Sequence, residues 1–68
     1  MADPVYKSVE ITGTATTTVN DAIENAVSKA AETLRNLDWF EVVNVRGNIT
    51  DGKVDHFQVT LKLGFRLE

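Results

Sequence analysis

The stretch from Val54 to Leu67 alternates more regularly than any other part of the chain. Its odd positions Phe57, Val59, Leu61, Leu63, Phe65 and Leu67 are apolar. Its even positions His56, Gln58, Thr60, Lys62, Gly64 and Arg66 are not, with Val54 the exception. A period of two sustained this far reads as a β-strand with one buried and one wet face. A strand so long and regular suits the centre of a sheet, so the rest of the chain must supply its neighbours and a cover for its apolar face.

The cover is an amphipathic helix. Val19, Ala22, Ile23, Ala26, Val27, Ala30, Ala31 and Leu34 recur at steps of three and four and form one apolar stripe. Its alanines allow a close seat on a sheet. Thr18 followed by Asp21 is a variant of the capping box, making Thr18 the expected N-cap. Asn36 can adopt the left-handed conformation that ends a helix, with Leu37 folding back as the hydrophobic contact. The neighbouring strands are residues 5–12, where Val5, Val9 and Ile11 alternate with Tyr6, Ser8, Glu10 and Thr12, and residues 39–49. Lys7 falls on the apolar parity, and Gly13 closes the first strand ahead of a polar connection over residues 14–18.

Between the last two strands lies Thr50-Asp51-Gly52-Lys53, a hairpin turn. A two-residue loop would put Arg46 opposite Phe57. A three-residue loop with Gly52 left-handed pairs Val45 with Val59, Val43 with Leu61, Arg46 with Gln58 and Asn44 with Thr60, keeping like with like. The second register is the expected one. The order strand, helix, strand, strand, with a helical crossover and then a hairpin, predicts an α+β fold: a three-stranded antiparallel sheet of order 1-3-2 around one helix. Residues 1–68 read as a single domain.

A chain of 68 residues is marginal as a monomer and needs a staple. It has no cysteine and one histidine, so neither a disulfide nor a Cys/His zinc site is available. Self-association is what remains. The net charge of -3 argues against nonspecific nucleic-acid binding. No apolar run reaches membrane-spanning length, and the N-terminus carries no apolar leader, which together fit a cytoplasmic protein. No nucleophile–base pair or acid–base pair stands at a recognisable spacing, so no catalytic residue is expected.

Trp39, the only tryptophan, breaks the pattern. Strict alternation puts it with Val43 and Val45 against the helix. A bend or bulge near Glu41 would instead turn Phe40 inward and Trp39 outward. The face opposite the helix collects Asn44, Arg46, His56, Gln58, Thr60, Lys62 and Arg66, a set that serves equally as a solvated surface or as a convergent polar site. His56 reads as an exposed strand histidine.

Several fragments, taken in order, resemble the dodecins, small flavin-binding proteins of bacteria and archaea. They are Glu10-Ile11-Thr12-Gly13-Thr14, Leu34-Arg35-Asn36-Leu37-Asp38-Trp39-Phe40-Glu41-Val42, Arg46-Gly47, Phe57-Gln58-Val59 and Gly64-Phe65-Arg66-Leu67, spanning most of residues 5–67. The resemblance implies a hollow dodecamer that holds FMN, riboflavin or lumichrome at subunit interfaces. It implies that Trp39 stacks on the flavin, that Gln58 hydrogen-bonds it, and that Arg46 and Arg66 meet a flavin phosphate or another anion. The residue chemistry is compatible: indole is a large electron-rich face, a Gln amide matches an imide edge, and Arg forks onto phosphate. A stacking Trp39 requires the alternation to break between Trp39 and Val43. Such a protein would store or buffer flavin and quench its excited state. The competing class is a small oligomeric module that binds a protein or an anionic metabolite on the outer sheet face.

Overall fold

The computed structural model describes residues 3–68. The elements are β1 (Tyr6–Ala15), α1 (Val19–Ala30), β2 (Leu37–Thr50) and β3 (Lys53–Arg66). They form an antiparallel sheet of order β1-β3-β2 with the helix on one face, as the alternation and connections predict. Thr18 is the N-cap, and its hydroxyl accepts from the Asp21 amide at 2.9 Å. The helix ends at Ala30, earlier than its stripe. The chain tightens through residues 31–34 and reverses at Asn36, whose φ of 63° is the expected left-handed turn.

The core is small. Ala22 and Ala26 of the helix sit on Val59, Leu61 and Leu63 of β3, bordered by Val9, Ile11, Ile23, Val27 and Leu37. Gly13 does not end β1; the strand runs on to Ala15. Glycine is needed there because a Cβ would overlap the Ala22 carbonyl oxygen and come within 2.7 Å of the Ala26 Cβ. Helix and strand therefore meet backbone to backbone.

The hairpin keeps the expected register over Arg46–Gln58, Val45–Val59 and Asn44–Thr60, but reaches it differently. Thr50 pairs with Lys53, so the loop has two residues, with Asp51 at φ 52° and Gly52 at φ 75°. Both are left-handed, the geometry of the turn that best fits strand twist. The extra residue lies within β3: Asn48 pairs with His56 and Ile49 with Val54, leaving Asp55 as a bulge. That bulge moves Val54 to the helix side of the sheet, which accounts for the apolar exception in an otherwise polar parity.

A second correction concerns Val43. It does not pair with Leu61; Val42 does, and Val43 is an inserted residue between the Val42–Leu61 and Asn44–Thr60 pairs. The insertion reverses the parity of everything before it. Phe40, opposite Leu63, points to the helix side, and Trp39, opposite Gly64, points to the outer face. A further insertion at Asp38 separates the Leu37–Phe65 and Trp39–Gly64 pairs.

The helix packs on β1 and β3 and leaves the inner face of β2 largely bare. Phe40, Val42, Val45 and Ile49 are 50%, 40%, 51% and 76% exposed. Phe40 has thus turned inward without becoming buried. The radius of gyration is 14.3 Å, against about 11 Å for a compact chain of this length. The hairpin extends beyond what its own core can cover.

Candidate functional site

The outer face is built as rows of residues across the three strands. Where Lys62 lies in β3 it stands between Glu10 and Glu41, an alternation of charge that suits direct cross-strand neighbours. In the next row Thr12 and Thr60 share a hydroxyl hydrogen bond of 3.0 Å. These central rows pair charge with opposite charge and hydroxyl with hydroxyl. The functional candidates lie on either side of them, in two groups.

One group surrounds Trp39. The indole lies flat on Gly64, where a Cβ would collide with the ring carbons Cε2, Cζ2 and Cδ2. A glycine in mid-strand often marks such a close approach, so Gly64 is a legible signal for the ring's position. Trp39 remains 42% exposed. Tyr6 stands beside it, with centroids 6.4 Å apart and planes tilted by 58°. The Tyr6 phenol is held above its ordinary pKa of 10.0, first by side-chain hydrogen bonding to Asp38 and then by that carboxylate's charge, with Arg66 opposing. Arg66 pairs with Tyr6 across the sheet and completes the group. The arrangement is an aromatic platform with a cation at its edge.

The other group surrounds Gln58, with Arg46 opposite it on β2. Gln58 Nε2 lies 3.2 Å from His56 Nε2, and His56 Nδ1 lies 2.7 Å from Asp55 Oδ2. His56 is 23% exposed, so it is not the free strand histidine expected from the pattern. Asp55 escapes a reading of the sequence, because the bulge that sets it beside the His56 ring has no signature there.

The structure brings Trp39 together with Arg66, and Gln58 together with Arg46, but it separates the two pairs. Gly64 and Gln58 are six positions apart on β3, about 20 Å at the rise of an extended strand. One flat ring of flavin size cannot touch both groups of a single chain. Among the described residues no group of carboxylate, histidine or cysteine side chains could hold a metal ion, and no helix is long and apolar enough to cross a membrane.

The sequence model of the dodecin family matches residues 5–68. A dodecin of Thermus thermophilus is 50% identical over 64 residues, covering 94% of this chain and 93% of that protein. The solved dodecin of Streptomyces coelicolor superposes with a TM-score of 0.94 at 56% identity, covering 100% of this chain and 97% of its own. A calcium-chelating dodecin of Mycobacterium tuberculosis is more distant, with a TM-score of 0.81 and 25% identity over 94% of this chain and 91% of that one.

Proposed function

The chain belongs to the dodecin family, and on that premise we propose that it sequesters flavin, stacked on Trp39 at interfaces between copies of itself in a hollow dodecamer. The observation that carries this reading is the seat of the indole. One ring face rests on the Gly64 backbone, and the ring is displayed on the outer sheet face instead of filling the core. A large exposed aromatic platform is a costly surface for a monomer to show to water, and stacking a flat heteroaromatic ring on it removes that cost.

Each chain residue has a defined part. Trp39 supplies the stacking face and, with Tyr6 beside it, excludes water from the ring. Gln58 offers an amide donor and acceptor side by side, the complement of an imide edge. Arg46 and Arg66 are local cations in a chain of net charge -3 and suit the phosphate of FMN. The separation of the two groups requires Trp39 and Gln58 to come from different copies when both reach one ligand. The bare inner face of β2 gives those copies a reason to associate. Bound flavin would supply a light-absorbing, redox-active ring; an indole in contact with that ring when excited can pass it an electron and recover it, returning the energy as heat. Sequestration and protection from photochemistry are then two results of one contact.

The test is a fluorescence titration of riboflavin, FMN and lumichrome with the protein. Stoichiometric quenching is expected with the parent chain. Trp39→Ala should weaken binding at least a hundredfold, since a stacked aromatic pair loses both buried area and its specific geometry. An assembled Trp39→Ala protein that still binds and quenches would refute the stacking role. A parent chain that leaves flavin fluorescence unchanged would favour the protein- or metabolite-binding module.

A further inference from the structure

The Asp55–His56–Gln58 chain of hydrogen bonds has a direction. A carboxylate only accepts, so Nδ1 of His56 carries the proton it gives to Asp55 across 2.7 Å. The neutral imidazole then holds a lone pair on Nε2, which can only accept. Gln58 must therefore face it with its amide nitrogen, which agrees with the nitrogen placed 3.2 Å from the ring. The reversed amide would set the Gln58 oxygen against that lone pair. One amide hydrogen is spent on His56. The second hydrogen and the carbonyl oxygen remain side by side as a donor–acceptor edge.

We propose that Asp55 and His56 are positioning residues that lock the Gln58 amide in the one orientation able to read an imide edge, and that protonating His56 reverses that orientation. This rests on the flavin-binding reading above. With a proton on Nε2, His56 becomes a donor there, and the amide must turn its oxygen inward. Gln58 then shows only N–H groups outward, and the ligand's imide N–H loses its acceptor. The imidazole is bonded to Asp55 and Gln58; Asn48 of β2 pairs with His56, the neighbouring row sets Arg46 and Thr14 on either side of Gln58, and Lys53 precedes His56 on its own strand. Asp55, Lys53 and Arg46 are the charged ones. His56 is the only histidine in the sequence.

The probes are riboflavin, which has no phosphate to titrate, and its N3-methyl derivative, which lacks the imide hydrogen. Fluorescence titrations from about pH 5 to 7 should show riboflavin binding weakening about tenfold toward acid, the effect of one lost hydrogen bond and an unpaired group. N3-methylriboflavin should bind more weakly at neutral pH and vary little. His56→Gln keeps an acceptor without a titrating proton, so it should retain neutral affinity and lose the pH dependence. His56→Phe should lose both. Asp55→Ala removes the acceptor that fixes the tautomer, so it should weaken neutral binding. The 15N shifts of the imidazole at neutral pH should report the Nδ1–H tautomer in the parent protein, whatever the fate of the variants.

A flat profile in the parent, the opposite tautomer, or a His56→Gln protein that keeps the parent's pH dependence would overturn the positioning role while leaving flavin binding intact. So would sizing at each pH that shows lost binding to track disassembly. A parent chain that binds neither flavin at pH 7 overturns the functional reading, and this inference with it.

Discussion

Gly64 shows how one missing atom group fixes a site. The Trp39 ring occupies the space that any Cβ at position 64 would need. Gly64→Ala should therefore drive the indole off its seat, with a stability loss of about 1–3 kcal/mol, as for other overpacked positions, and a larger proportional loss of flavin affinity. Paired denaturation and ligand titrations check this, and an alanine variant that binds as well as the parent would show that the seat is not needed. At this scale much is legible in the sequence. Trp39 is the largest side chain in the protein, Gly64 is the one glycine of β3, and Gln58 and Arg46 share the wet parity. His56 is legible on the same face as Gln58, but its tie to Asp55 is not, because no local preference announces the bulge that positions Asp55.

At the scale of elements, the helix stripe and the β3 alternation carry the fold because their periods are set by backbone geometry alone. The insertions at Asp38, Val43 and Asp55 are different in kind. Val43 is a good strand residue with nothing to mark it as unpaired, so the parity it reverses can be inferred only from what Trp39 and Phe40 need. The turn departs from expectation for a related reason. The pairing further along the hairpin needs an extra residue somewhere, and the turn is the economical place to put it, yet the structure puts it at Asp55. The two-residue turn makes a sharp demand, since both Asp51 and Gly52 have positive φ. Gly52→Ala should cost about 1–2 kcal/mol, although nothing surrounds a Cβ there. Asp51→Asn should be neutral or slightly stabilising, because asparagine tolerates this conformation well. Thermal melts of the two variants would separate backbone strain from packing; an unaffected Gly52→Ala protein would contradict the turn geometry.

The whole chain is incomplete in two respects that coincide. Its β2 strand leaves Phe40, Val42, Val45 and Ile49 between 40% and 76% exposed, and its two candidate groups lie too far apart to close on one ligand. Val45→Glu puts a charge into the bare strip without touching either group. It should break the assembly into smaller species by sedimentation and abolish flavin quenching, while isolated chains stay largely β in circular dichroism or unfold. An assembly of unchanged size would mean that this strip is not an interface. If the two groups, about 20 Å apart along β3, bind flavin between copies as proposed, ligand uptake and association become a single equilibrium. Mass action then makes the flavin a fastener: adding it should raise the melting temperature and make the assembly resist dilution, by an amount that grows with the logarithm of its free concentration. Scarcity of flavin should loosen the container as well as empty it.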